Sequence, residues 1–240
     1  MRKPLRAGRP VTLAIDVGGS HIKAARLGPR CGLLSERVRI DTPARLTPPR
    51  LLETLVSLAR SFDGYDRVSV GVNGLVHRGR IYAIPMTANP AFRGFDLAGR
   101  LGRRLRRPVR LLNDGQMHAL GFVRGRGVEV VITLGTGLGS AVFIDGRLGP
   151  HVQLLASPGR EGTMGGDYGD GALKALGRKR WSRRVGALIE LLRRLTNFDH
   201  LYIGGGNAER LQLRLPRDVT IGDNSAALAG GVRLWLWDVS

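Results

Sequence analysis

Asn113-Asp114 and the stretch Leu134-Gly135-Thr136-Gly137-Leu138-Gly139-Ser140 decide how this chain reads. Val128 to Leu134 is a β-branched, apolar run with the character of a buried strand. Gly135, Gly137 and Gly139 let the backbone turn tightly and aim N–H groups at an anion. Ala141 to Ile144 reads as a second strand, and Asp145-Gly146 as a turn. The pattern is strand, glycine turn, strand, not the strand-to-helix turn of a dinucleotide site. Taken alone, these residues also describe a tight hairpin with no ligand.

Upstream, Val109 to Leu112 leads as a strand into Asn113-Asp114, which puts Asp114 just past a strand end, at the mouth of a sheet. A carboxylate there can accept a hydroxyl proton as a phosphoryl group arrives. Asn113 beside it can donate to a substrate oxygen, although Asn-Asp-Gly is also an ordinary turn signal. The same order of parts opens the chain. Val11 to Val17 is apolar but for Asp16, Gly18-Gly19-Ser20 follows, and Ile22 to Leu27 resumes an extended pattern. Asp16 can hold a hydrated Mg²⁺, Gly18, Gly19 and Ser20 can line phosphate oxygens, and Lys23 adds a point charge. A third instance runs from His200 to Ile203 into Gly204-Gly205-Gly206-Asn207. Here a helix is expected to follow and to lend its positive N-terminus to an anion.

The intervening segments supply the frame. Leu51, Leu52, Leu55, Val56, Leu58 and Ala59 recur at helical spacing, Val68 to Val72 reads as a strand, and Asn73-Gly74 turns it back. Ile81 to Phe95 reads as irregular, long enough to be a functional loop. Asp96 is placed to N-cap a helix bearing Leu97, Leu101 and Leu105. Leu148 to Gly171 is the least regular segment; beyond it two amphipathic helices are expected, with the basic run Arg178-Lys179-Arg180-Trp181-Ser182-Arg183-Arg184 between them. Such a run is a solvated face or a surface that tracks phosphates. Ala226 to Leu236 reads as an apolar closing helix whose Gly230-Gly231 suits close packing.

Composition narrows the classes. With 240 residues and 42% apolar content, a packed globular chain is expected. The formal net charge of +19 attracts polyanions, unless the arginine simply tracks a GC-rich genome. Cys31 is the one cysteine, so no disulfide forms within the chain, which suits a reducing, cytoplasmic setting. No apolar run reaches the roughly 18 residues of a spanning helix, so no membrane partner is expected. Nucleic acid ranks last among polyanions, because no helix-turn-helix segment precedes the glycine turns and aromatics are not interleaved with the basic residues.

Three glycine turns, each after a strand, with Asn-Asp between the first and second, resemble the ROK sugar kinases, and within them the polyphosphate glucokinase branch. The matching stretches are Ile15 to Lys23, Leu112-Asn113-Asp114, Leu134 to Ala141 and Tyr202 to Asn207, in the family's order and across nearly the whole chain. The resemblance implies an α/β protein with the two-lobed actin-like, ribonuclease-H-like ATPase fold, mixed sheets flanked by helices around a central cleft. It implies lobes over 1–111 and 112–240, with the helix at about 225–236 returning to the first. It implies transfer of a phosphoryl group to the 6-hydroxyl of glucose or a related hexose, from polyphosphate or from ATP. Asp114 would be the base. Asn89 and Asn113 would bind the sugar, and Gly18, Gly19, Ser20, Thr136 and Gly137 would grip the donor. Gly205 and Gly206 would lie beside the donor's tail, Arg178, Lys179 and Arg180 would meet a polyanionic donor, and Mg²⁺ would sit near Asp16. A homodimer is implied by the family alone. The chain departs from it where a Glu-Leu-Gly-His-type sugar motif is usual: here stand Gln153-Leu154-Leu155-Ala156-Ser157, with His151 and Glu161 as possible substitutes. An impaired, sugar- or phosphate-binding relative is therefore the alternative to an enzyme, since each lost charged hydrogen bond costs about 1.5–3 kcal/mol. The zinc-binding cysteines of many ROK proteins are absent, and Asn73 stands where the branch often has Pro.

Overall fold

The structure, a computed structural model, describes residues 10–85, 87–150, 154, 158–159, 162–222 and 226–236. Its described residues divide into two compact units. One runs to Gly121 and takes back Ala227–Leu236; the other is Phe122–Ala226.

In the first unit, β1 (Thr12–Val17) is the central strand, with Leu13, Ala14 and Ile15 all inaccessible to solvent. Burial on both faces is what its continuous apolar run requires. It pairs antiparallel with β2 (His21–Leu27), which pairs with β3 (Val38–Asp41). On its other side it runs parallel to β4 (Arg67–Val72), giving the order β3-β2-β1-β4-β7 once β7 (Val109–Asn113) is added. α1 (Pro48–Arg60) and α2 (Leu97–Leu105) cover Leu13, Ile15, Val17, Val68 and Val70. Each helix starts on a side-chain cap: Thr47 accepts from the Arg50 N–H, and Asp96 accepts from the Gly99 N–H at 3.0 Å. The span expected to be irregular, Ile81 to Phe95, begins inside β6 (Arg80–Ala83), which pairs with β5 (Leu75–His77), and an Ile81–Phe95 bridge closes it.

The opposite face of this sheet, carrying Ala14, Ala25 and Leu27, packs against α6 (Ala226–Arg233) through Leu228 and Val232. Gly231 permits the approach: a Cβ there would lie 2.8 Å from the Ala14 Cβ. Beyond the helix, the Trp235 indole N–H donates to Ser69 Oγ at 2.7 Å, and its ring takes the Arg67 and Arg110 guanidiniums at 5.1 and 4.7 Å. Also in this unit is α3 (Asp114–Leu120). The boundary expected near Leu112 would split β7 and cut α3 away; the first unit instead runs to Gly121, because β7 is the edge of the first sheet and α3 packs on β4.

The second unit repeats the plan. β8 (Val128–Leu134) pairs antiparallel with β9 (Leu138–Ile144), and β10 (Arg147–Leu148) adds to β9. Two further strands, β13 (His200–Gly204) and β14 (Val219–Ile221), run parallel to β8. Between lie the short strands β11 (Pro158–Gly159) and β12 (Gly162–Thr163), then α4 (Met164–Tyr168) and α5 (Asp170–Thr196). The two expected helices are both present, since Gly177 (φ 71°, ψ 161°) is non-helical and divides α5 in two; the basic run opens the second of them and does not lie between them. Trp181 within the run is fully buried and donates to the Tyr168 carbonyl at 3.0 Å, so the segment is a helix with one packed side. The turn after β13 is followed by a single 3₁₀ turn, Ala208–Arg210, not by the expected α-helix, so it has no helix dipole to offer. Among the described residues, no helix is long and apolar enough to cross a membrane.

Candidate active site

The first unit gathers four titratable groups. Asp16, near the end of β1, stands directly opposite Lys23 on β2 and beside Gly71 on β4. Gly71 lets α3 lie close: a Cβ there would be 3.3 Å from the Cα of Asp114 and 2.7 Å from the Met117 methyl. Asp114 is thereby held over the strand next to Asp16. His118, four residues on, shares its helix face.

Asn113 sets where that helix begins. Its Oδ1 accepts from the Gln116 N–H at 3.2 Å and its Nδ2 donates to the Gly74 carbonyl at 3.0 Å, with 8% of the residue exposed. The Asp114 carboxylate accepts from the Gly115 N–H at 2.9 Å. Burial, and then the neighbouring Asp16 charge, push the Asp114 carboxyl up to about 6 from 3.8; the Gly115 N–H and Asn113 oppose this. Burial also raises Asp16, with Lys23 pulling it back. Burial and the Lys23 charge bring His118 down to about 4 from 6.5, so it is neutral at pH 7.

The adjoining turn is tied down: the Gly18 N–H donates to the His21 carbonyl at 3.0 Å, and Thr42 Oγ1 donates to the Gly18 carbonyl at 2.8 Å. Gly19 and Ser20 are exposed at its tip. Asn89, expected at the sugar, caps the 3₁₀ turn Pro90–Phe92 by accepting from the Ala91 N–H at 3.0 Å, and its amide reaches the Leu46 carbonyl at 3.5 Å. His151, Glu161 and the Gln153 to Ser157 stretch other than Leu154 lie outside the described residues.

In the second unit the glycine turn is confined to Gly135–Gly137; Leu138, Gly139 and Ser140 already belong to β9. Thr136 is exposed at the tip. The turn is braced from behind. The Asp170 N–H donates to the Gly135 carbonyl at 2.9 Å, and Asn207 Nδ2 donates to it at 3.2 Å and to Asp170 Oδ1 at 2.6 Å. The Asn207 N–H also donates to the Leu134 carbonyl at 3.0 Å. Gly205 (φ 88°) lies against the Leu134 backbone, where no Cβ fits. Gly169 abuts the Thr136 carbonyl with the same restriction, so the start of α5 is fixed to the turn. Arg178, Lys179 and Arg180 are exposed on α5. Arg180, Arg183 and Arg184 line a cavity of about 370 Å³ with Tyr168, the residue before Gly169.

Reading the sequence missed three of these residues. Gly71 stands inside a strand, which signals a close approach, and His118 is at i+4 from the candidate base. Asp170 carries no local signal, because its partner is the Gly135 turn, distant in sequence; Asn207 was named with its glycine turn, but without its role behind Gly135.

The fold is that of the actin-like sugar kinases. It superposes on the inorganic polyphosphate/ATP-glucomannokinase of Arthrobacter sp. strain KM with a TM-score of 0.81 at 24% identity, covering 95% of this chain and 99% of that one. Residues 12–153, more than half of the chain, match the ROK family, and the chain belongs to it. The polyphosphate glucokinase of Mycobacterium leprae (strain TN) is 26% identical over 251 residues, which span 94% of this chain and 75% of that protein. The N-acetylmannosamine kinase of Escherichia coli O157:H7 is 31% identical over 155 residues, 62% of this chain, and the match spans only half of its length.

Proposed function

We propose that the chain is a phosphotransferase that moves the terminal phosphoryl group of inorganic polyphosphate to the 6-hydroxyl of glucose or a related hexose. The observation that carries this is the Asp114 carboxyl, raised to about 6 by burial and by Asp16 and held over Gly71 at the start of α3. A base whose proton affinity lies close to the working pH suits abstraction of a hydroxyl proton. The sugar oxygen attacks the terminal phosphorus, Asp114 takes the proton, and the bond to the next bridging oxygen breaks, releasing a polyphosphate one unit shorter. In the first unit the exposed Gly19-Ser20 tip, with Lys23 to balance charge, suits donor phosphate, and in the second unit the exposed Thr136 tip does so by itself. Asn113 serves the sugar through positioning Asp114, since its own amide is engaged with Gly74 and Gln116.

Mg²⁺ would neutralise phosphate charge, with Asp16 as the residue to hold it. Among the described residues no group of three or more His, Cys, Asp or Glu can hold a metal ion. A single carboxylate completed by water and donor phosphate oxygens is the pattern Mg²⁺ favours.

The donor assignment is supported by the three arginines beside Tyr168, next in sequence to the residue that packs on Thr136, and by the polyphosphate glucokinase among the relatives. The similarity to an N-acetylmannosamine kinase favours a second reading, an ATP-dependent hexose kinase of other sugar preference. A coupled assay for the sugar 6-phosphate with polyphosphate, ATP or neither distinguishes them. Asp114→Asn is expected to lower kcat roughly 10²–10⁴-fold. No turnover with either donor, together with an unaltered Asp114→Asn variant, would remove the enzyme reading and leave a binding protein.

A further inference from the structure

The second unit has a cavity of about 470 Å³, lined by Arg124, Arg126, Glu129, His200 and Tyr202. It is at the opposite end of the sheet from the Gly135–Gly137 turn. Arg124 and Arg126 precede the first residue of β8, His200 is the first residue of β13, and Glu129 pairs with His200. Glu129 to Gly135 is a strand's length, roughly 20 Å at about 3.3 Å per residue.

The loop that carries the two arginines is built on carboxylates. Glu129 is 1% exposed. Its Oε1 accepts from the Arg124 N–H at 2.7 Å and from the Tyr202 hydroxyl at 3.0 Å. Its Oε2 accepts from the N–H groups of Gly125 and Arg126 at 2.6 and 3.2 Å. Asp145 and Asp199 take the N–H groups of Gly127 and Val128 at 2.9 and 2.7 Å. Backbone bonds therefore occupy all three carboxylates, and neither Asp145 nor Asp199 lines the cavity. Glu129, with four hydrogen bonds, has no lone pair left to direct at a cation. Arg124 and Arg126 remain exposed, and neither forms an ion pair with a described residue. Burying a carboxylate to fix an exposed Arg-Gly-Arg loop is more than strand entry needs. It holds two guanidinium forks at the mouth of a cavity of small-molecule size.

We propose that this cavity is a second anion site, separate from the donor turn, that takes a phosphate-bearing small molecule between Arg124, Arg126 and His200. Tyr202, its hydroxyl fixed on Glu129, forms the floor. The proposal stands independently of the sugar-kinase reading.

The test is backbone amide NMR of the full chain, titrated separately with inorganic phosphate, glucose 6-phosphate and tripolyphosphate, in wild type and Arg124→Ala/Arg126→Ala. At least one probe is expected to shift the Gly125 and Gly127 amides saturably below 10 mM, and the arm that saturates first identifies free phosphate, an ester or a polyanion as the source. The double substitution should weaken this at least tenfold while leaving the Gly135 and Gly137 shifts and sugar-phosphorylating activity, where present, unchanged. Both side chains project from a loop fixed through its backbone, so the amide spectrum itself reports whether the variant is folded; Arg124→Lys/Arg126→Lys, retaining charge, should keep part of the response. The proposal is overturned if no probe moves the Gly125 and Gly127 amides in wild type. It is equally overturned if the alanine variant responds like wild type.

Discussion

Asp114 and His118 share one face of α3 and titrate in opposite senses, which makes the local pH behaviour specific. The Asp114 carboxyl holds its proton to about 6 in the folded chain, against 3.8 ordinarily. Between those values the native state binds the extra proton, so stability falls as pH rises. His118 loses its proton near 4 when folded, against 6.5 ordinarily. From about 4 to 6.5 the unfolded state binds the extra proton, and stability rises with pH. Each contribution has a ceiling of about 3 kcal/mol, and because both groups are half-buried, solvent screening reduces it. In wild type the two slopes oppose each other. Asp114→Asn should leave a melting temperature that climbs from pH 4 to 6.5, and His118→Gln one that declines; parallel curves for the two variants would contradict this assignment. A second prediction concerns activity. kcat/KM for the sugar should rise with pH through about 6, and Asp16→Asn, which removes the charge that raises Asp114, should move that limb to lower pH whatever it does to the plateau. A pH profile of the two proteins decides it.

At the level of elements, the decisive contact is α3 on β4 at Gly71. Gly71→Ala would bring a methyl group onto the Met117 methyl and to 3.3 Å from the Asp114 Cα. Met117 ends in a flexible group and can swing aside; the helix backbone has to shift by a few tenths of an ångström. The expected outcome is a roughly tenfold lower kcat with little change in melting temperature. Met117→Ala added to it should not restore kcat, since the backbone contact persists. Recovery of full activity in the double variant would show that Met117 alone was displaced.

Much of the frame was legible in the sequence, because it is written in local patterns. The alternation and apolar runs of β1, β2, β4, β7, β8 and β13 are visible, as are the Asp96 cap and the glycines at Gly18 and Gly135. What escaped depends on partners distant in the chain. The basic run from Arg178 looked like a solvated face between two helices because its anchor, Trp181, binds the Tyr168 carbonyl across the Gly177 bend. The turn at Gly204–Gly206 promised a helix, yet its glycines serve to bring Asn207 behind the Gly135 turn. Asn89, expected at the sugar, has a further role as a local cap that its sequence neighbourhood did not show.

Across the whole molecule the formal charge of +19 makes salt the informative variable. A polyanion held by several arginines releases counterions on binding, so log KM for polyphosphate should rise steeply and linearly with log salt, while KM for the uncharged sugar stays nearly flat. Replacing Arg180 and Arg183 with alanine should make the polyphosphate slope shallower. Equal slopes in variant and wild type would place the donor's charge elsewhere.

Among the described residues the second unit is one segment, Phe122–Ala226, whereas the first must recruit Ala227–Leu236 from beyond it. During synthesis the chain of the inserted unit is therefore finished before the helix that shields Ala14 and the indole that reaches Ser69 have been made. A released chain truncated after Gly222 should resist protease over the later segment and be cut in the earlier one. Maturation of the first unit thus waits on the final stretch of translation, long after its own strands have been made.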